Sequence, residues 1–160
     1  MAITYEPIAT TTLSSAAASV TFSSISGSYT DLVLVSNWTV STQNNLLMTF
    51  NSDTGSNYSE TVLLGDGSSA TSSRQTSATS IRVGFAGSAS SKVINIINIQ
   101  NYSNATTYKT TVYRWNSEEY VSARVGLWRN TSAITSIALT ASTGNIASGS
   151  TFSLYGIKSA

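Results

Sequence analysis

Short runs of alternating apolar and polar residues, each closed by a turn rich in Gly, Asn or Ser, recur along this 160-residue sequence. Alternation with a period of two puts successive side chains on opposite faces of an extended strand. The runs follow one another at the spacing of about 8–12 residues that is typical of β-sandwiches. No stretch repeats its apolar residues with the period of 3.6 that an amphipathic helix requires. The pattern therefore predicts an all-β chain.

The runs predict a single domain over residues 1–160, an antiparallel β-sandwich of jelly-roll type with about ten strands. Residues 1–17 consist mostly of small, weakly patterned residues, and we expect them to form an extended N-terminal arm. Residues 65–79 are polar and predict the longest exposed loop. Besides a short run near the N-terminus, the predicted strands cover residues 18–25, 31–38, 45–50, 60–64, 80–85, 92–99, 109–115, 120–128, 133–141 and 150–158.

Composition excludes several classes of function. The chain has no Cys and no His, which excludes disulfides, a Cys nucleophile, a Ser–His–Asp triad and the usual zinc sites. Only 9% of residues are charged and the net charge is +1, so nothing favours binding to nucleic acid. The longest aliphatic run, LVLV, is far too short to cross a bilayer. Ser and Thr make up roughly a third of the chain, so its polar surface carries hydroxyls more than charges.

Two groups of acidic residues resemble catalytic or metal sites, but neither meets the requirements of one. Glu118 and Glu119 are adjacent, so they point to opposite faces of a strand or into water from a turn, and cannot flank one glycosidic bond. We interpret them as the tip of a hairpin. Residues 51–60 offer scattered oxygen ligands but lack the carboxylate spacing of a calcium loop. We predict no catalytic residue, cofactor or metal.

Residues 113–130 stand apart because they bring together three arginines, two tryptophans and two tyrosines. Exposed Trp and Tyr can stack on sugar rings, while Trp, Tyr and Arg are also frequent anchors of protein interfaces. A third interpretation is that the tryptophans cover the core and the arginine stems lie over them. The sequence leaves these alternatives open for six candidate residues: Arg114, Trp115, Tyr120, Arg124, Trp128 and Arg129.

Residues 120–128 show the clearest alternation in this stretch. The pattern predicts that the aliphatic residues face the core and that Arg124 and Trp128 lie on the other face. The residues predicted to point inward are Val121, Ala123, Val125 and Leu127.

Five segments, spread over almost the whole chain, carry a resemblance to a known group of proteins. They read ITYEPIATTTLSSAAASVTFSSISGSYTDLVLV, LLGDGSSATSSR, INIQNYSNATTYKT, VGLWRNTSAITSI and GSTFSLYGIK. In these segments the chain resembles small virion proteins of tailed bacteriophages and prophages, notably those of cyanobacteria and other aquatic bacteria. Related phage modules are commonly β-sandwiches that work as trimers and decorate the capsid or form the ends of tail fibres.

The resemblance implies a non-enzymatic structural protein on the exterior of a phage particle, made in the bacterial cytoplasm. We expect a capsid decoration or cement protein that acts as a homotrimer and contacts the major capsid protein or other virion proteins. The alternative is a tail-fibre or receptor-binding module that recognises a glycan of the host surface. Neither role involves nucleic acid, insertion into a membrane or a cofactor.

Overall fold

Twelve β-strands make up the regular structure of residues 4–89 and 91–158, which are the residues that the computed structural model describes. In most strands buried and exposed side chains alternate, as the sequence pattern predicts. The strands are β1 (Tyr5–Thr12), β2 (Ser19–Phe22), β3 (Asp31–Trp38), β4 (Asn44–Phe50), β5 (Tyr58–Gly65), β6 (Ala70–Ala78), β7 (Ile81–Ala86), β8 (Val93–Gln100), β9 (Lys109–Asn116), β10 (Val121–Trp128), β11 (Ile137–Ala141) and β12 (Thr151–Ile157).

The strands form two sheets, and every neighbouring pair is antiparallel. The large sheet has eight strands in the order β1-β12-β3-β8-β9-β10-β5-β6, and the small sheet has four in the order β2-β11-β4-β7. The predicted all-β sandwich is confirmed, whereas the jelly-roll connectivity stays a prediction. The core lies between the sheets and includes Leu32, Leu34, Ile97, Ile99 and Phe152 of the large sheet and Phe22, Met48, Phe50 and Leu139 of the small one.

The large sheet is twice as wide as the small one, so one end of it has no second layer. Strand β7, the edge of the small sheet, contacts β8, β9 and β5 of the large sheet. Two hairpins, β5–β6 and β9–β10, supply the four consecutive strands β9-β10-β5-β6 at this end. We call these four strands the extension. Because the small sheet ends at β7, a gap lies between the sheets at the extension; the outer face of the extension, on the opposite side, is exposed at residues such as Val112 and Val121.

Strand β10 presents the opposite face to the core from the one predicted, so that prediction is wrong. Arg124 and Trp128 are buried, whereas Val121 and Val125 are 63% and 49% exposed. The inner face of β10 lies near the edge strand β7, and Gly126 belongs to this inner face. A Cβ at Gly126 would come within 2.9 Å of the Ile81 Cδ1 atom, so the small residue permits the close approach of the two sheets.

The N-terminal segment is extended, but within the described residues it does not form a free arm. Strand β1 pairs along its length with β12 and forms one edge of the large sheet. Ile8 and Leu13 are half-buried against the core, and Ala17 forms a bridge with Ile146. The predicted tether over residues 1–17 is therefore corrected to an edge strand with a linker, while its first three residues lie outside the described part of the chain.

Deleting residues 1–12 is expected to lower the free energy of unfolding by about 1–2 kcal/mol, because half-burial of Ile8 supplies part of the roughly 1.5–3 kcal/mol of a buried aliphatic side chain. Urea denaturation followed by circular dichroism measures the change. Deletion of residues 1–4, which leaves β1 whole, is the control. An unfolding midpoint that is the same for both deletions would instead indicate a dispensable arm.

The predicted loop of residues 65–79 is mostly strand β6, the other edge of the large sheet. Eight of its nine residues, 70–77, are exposed, so no buried face imposes an alternating pattern on the sequence. The hairpin turn before it is held by the Asp66 carboxylate, which accepts hydrogen bonds from the backbone N–H groups of Ser68 and Ser69 at 2.9 and 2.7 Å. At its other end β6 contains a bulge, with Ser77 at a φ of 54°, and only residues 79–80 separate it from β7 in the small sheet.

Candidate functional site

The six candidate residues of the aromatic stretch fall into three separate places. Arg114 is exposed on the outer face of the large sheet. Trp128 and Arg129 lie at the loop of residues 51–57. The remaining three, Trp115, Tyr120 and Arg124, line a cleft between β6 and β7 at the open end of the sandwich. The sequence stretch is therefore continuous, but it does not form one site.

Trp128 and Arg129 anchor a loop to the core. Trp128 is fully buried, packs on Phe50 at 5.5 Å between ring centroids, and donates from Nε1 to Asp53 Oδ2 at 2.7 Å. Arg129 donates from Nη2 to the Ser56 carbonyl at 2.9 Å. Burial raises the pKa of Asp53, but hydrogen bonds from Trp128 and the loop outweigh it and leave the pKa below its usual value. These contacts match the interpretation of the tryptophans as core residues.

The acidic groups considered in the sequence do not form a shared site. Glu118 and Glu119 are exposed in the turn between β9 and β10, so the hairpin-tip interpretation is confirmed. Asp53 binds Trp128, whereas Glu60 is buried beneath the cleft. Over the described ranges 4–89 and 91–158, no three His, Cys, Asp or Glu side chains come together as metal ligands would.

The cleft at the open end has a volume of about 260 Å³ and is lined by strands of both sheets. Phe85 of β7 and Tyr120 of the β9–β10 turn are half-buried and pack edge to face at 5.8 Å between centroids. Trp115 is 2% exposed, and the Arg124 guanidinium lies 5.4 Å from its ring centroid. Ser73 of β6 is exposed on the opposite wall, so the cleft has both aromatic and hydroxyl-bearing sides.

A buried charged cluster lies beside the cleft. Arg124 Nη1 is 3.4 Å from Glu60 Oε2, and both side chains are almost fully buried. Arg82 Nη2 is 3.5 Å from Glu60 Oε1, with its side chain 41% exposed. The Tyr113 hydroxyl donates to Glu60 Oε2 at 3.0 Å. Two guanidinium groups thus face one carboxylate, which leaves a net positive charge at the cleft.

Burial and the Glu60 charge oppose each other in their effect on the pKa of Arg124, but both raise the pKa of Tyr113. Burial lowers the pKa of Arg124, while the neighbouring Glu60 carboxylate raises it. Burial, with Glu60 next in effect, raises the pKa of the Tyr113 hydroxyl well above its usual value. Tyr113 therefore remains a neutral donor to Glu60 at physiological pH.

Two buried donors at the cleft have no acceptor among the described residues. They are Trp115 Nε1 and Arg82 Nε. Leaving a buried donor unsatisfied costs about 1–3 kcal/mol, so such groups are uncommon in folded proteins. Both residues line the cleft, but the two nitrogen atoms themselves are buried.

The outer face of the large sheet carries the second unusual surface. The large apolar side chains on this face are 44–63% exposed. Arg114 lies among them, paired across the strands with Ala123 of β10 and Ile96 of β8. Shallow depressions of about 220 and 390 Å³ run between these side chains. We call this surface the outer patch; it comprises Leu63, Ile94, Val112, Val121 and Val125, with Ala123 and Arg114 between them.

Sequence reasoning missed three residues at the cleft: Arg82 and Phe85, which line it, and Glu60, which is buried beneath it. Each lies on a strand far along the chain from residues 113–130, so no local spacing connects them. One available signal was that Glu60 and Arg82 are charged residues inside otherwise apolar strand patterns, in a chain where only 9% of residues are charged.

Compared with protein families, curated proteins and solved structures, the chain matches none of them. In the described part of the chain, no helix is long and apolar enough to span a bilayer.

Proposed function

We propose that the protein is a non-enzymatic structural protein on the exterior of a bacteriophage particle, a capsid decoration protein that associates as a homotrimer through the outer patch. The phage assignment and the trimer come from the sequence resemblance. The outer patch is the observation that supports association, because monomeric proteins rarely expose contiguous apolar surface of this kind.

The two outer faces of the sandwich differ in a way that favours the large sheet as the interface. The outer face of the small sheet is rich in hydroxyls, as at Ser19, Thr21, Thr49 and Thr140. The outer patch is aliphatic instead, and its cross-strand neighbours on the same face include Thr61, Gly65, Asn98 and Asn116, none of which is a carboxylate. Association would thus bury apolar surface without desolvating an acid, and Arg114 is the charged side chain of the outer patch that it would bring into the interface.

The outer face of the large sheet has the area of a standard interface if contacts extend beyond the outer patch. Eight strands about 4.8 Å apart and eight residues long give a face of about 34 by 26 Å, or about 900 Å², and the outer patch occupies about half of it, on β8, β9, β10 and β5. A standard protein interface buries about 800 Å² on each partner. A second copy of the chain is the occupant that this proposal assigns to the face.

Placing a carboxylate at Leu63 or Val121 is expected to disrupt the assembly. Sedimentation equilibrium should give a trimer for the native chain and a folded monomer for Leu63→Asp and Val121→Asp, because an unpaired charge is costly to bury at an interface. Thr140→Asp, on the outer face of the small sheet, should remain trimeric. A native chain that is monomeric at all concentrations, or a Thr140→Asp variant that dissociates equally, would overturn the proposed interface.

The location on the particle is tested by counting copies. A decoration protein should be present in numbers comparable with the lattice positions of the shell, whereas a tail-fibre module should be present in only a few copies per particle. Quantitative mass spectrometry of purified particles distinguishes the two.

A further inference from the structure

The cleft at the open end of the sandwich is separate from the outer patch. The outer patch lies on the outer face of β8, β9, β10 and β5, whereas the cleft opens between the sheets. The proposed association through the outer patch does not involve the residues that line the cleft. Its lining also differs from an ordinary packing defect, because it combines aromatic rings, guanidinium groups and unsatisfied donors.

We propose that the cleft binds an acidic sugar, a single pyranose ring that carries a carboxylate, such as a hexuronate residue of a surface polysaccharide. The half-buried rings of Phe85 and Tyr120 offer an apolar surface to the C–H face of a pyranose. The cleft volume of about 260 Å³ suits one ring and not a longer buried segment.

Charge selects an acid over a neutral sugar. Arg82 and Arg124 together carry two positive charges, and Glu60 neutralises one of them. The partly exposed Arg82 is the guanidinium that a ligand can reach, while Arg124 is buried. Guanidinium groups bind carboxylates through charge-assisted hydrogen bonds, which are stronger than hydrogen bonds between neutral groups.

The donor that the cleft exposes suits a ligand rich in acceptors. Arg82 Nε and Trp115 Nε1 lack acceptors among the described residues but are themselves buried, so the donor within reach of a ligand is the exposed part of the Arg82 guanidinium. A carboxylate supplies several lone pairs, and ring hydroxyls supply more. The exposed Thr71 and Ser73 of β6 add hydroxyls on the opposite wall for the outward-facing groups of the sugar.

Calorimetric titration of the native protein with sodium glucuronate tests the proposal, with glucose as the neutral ring of the same size. We expect glucuronate to bind with a dissociation constant of about 1–10 mM and glucose to bind at least about tenfold more weakly, the equivalent of one charge-assisted hydrogen bond. Benzoate, an acid on an aromatic ring, serves as the third ligand. The titration uses the isolated protein, so its result does not depend on the assembly proposal.

Variants then locate the binding. Arg82→Gln and Ser73→Glu are each expected to weaken glucuronate binding by about tenfold or more, the second by placing a carboxylate on an exposed wall where it cannot affect the fold. Arg114→Gln removes the same charge as Arg82→Gln but lies on the outer face, and should bind glucuronate like the native protein. The proposal fails if glucose binds as well as glucuronate, if only benzoate binds, if no ligand binds, or if Arg114→Gln has the same effect as the cleft variants.

Discussion

Replacing Arg124 with Ala is expected to lower the free energy of unfolding by about 3–5 kcal/mol, because removing one partner of a buried ion pair leaves the other charge uncompensated. Glu60 is buried 3.4 Å from Arg124, and its remaining cation, Arg82, is partly exposed to water. The alternation in the sequence predicts the reverse, with Arg124 on the outer face. The effect of this substitution therefore distinguishes the two orientations of β10.

Urea denaturation followed by circular dichroism measures the loss, at a concentration low enough that association does not contribute. Val125→Asp is the matched control on the same strand, and it should cost no more than about 1 kcal/mol, the range of strand propensities. The double variant Glu60→Gln, Arg124→Met removes both charges and should be more stable than Arg124→Ala. If Val125→Asp unfolds the protein while Arg124→Ala does not, the burial of Arg124 is wrong.

Trp128→Ala is expected to destabilise the fold by about 3–5 kcal/mol, the usual cost of removing a buried aromatic side chain. Trp128 is fully buried against Phe50 and stacks with Tyr58 at 6.3 Å between centroids. Its loss also takes the indole donor from Asp53. Thermal and urea denaturation followed by circular dichroism should both show the change, since neither depends on tryptophan emission.

Trp128→Phe keeps an aromatic ring in the core but removes the indole donor to Asp53. It should therefore lower the free energy of unfolding less than Trp128→Ala does. The lowered pKa of Asp53 means that its ionised form stabilises the native fold at neutral pH, and that this stabilisation is lost as the pH falls through the native pKa. Without the indole donor that pKa rises toward the usual value, so the stability of Trp128→Phe should vary less between neutral and acidic pH. An unchanged pH dependence would show that the Trp128–Asp53 hydrogen bond has no part in it.

The sequence predicts strands well where one face is buried and poorly where none is. Strand β3 is predicted with its observed bounds because its burial imposes a clear apolar pattern. The sequence predicts a loop at strand β6, because residues 70–77 are exposed and the backbone hydrogen bonds that pair it with β5 do not require particular side chains. The antiparallel sandwich follows from the pattern, but the unequal widths of the sheets do not.

The candidate site was only partly predictable for the same physical reason. The prediction for β10 assumes that the aliphatic face of a strand is the buried one. That assumption holds only where a second layer covers the inner face of the strand. In the extension the edge strand β7 is the nearest cover, so polar groups such as Arg124 and Glu60 occupy the inside and Val121 and Val125 the outside. The sequence predicts Trp115, Tyr120 and Arg124 as candidate residues, but Arg82 and Phe85, which line the same cleft, come from a distant strand.

The connection from β6 to β7 is only two residues long, and this length restricts the movement of the cleft walls. One wall of the cleft is β6 and another is β7, and residues 79–80 alone connect them, next to the buried Ala78. So short a connection limits how far the two walls can separate at this end. The cleft is therefore preorganised: a ligand would meet it at its final width, with little conformational entropy lost on binding, and association should be a single fast step without a slow closing phase.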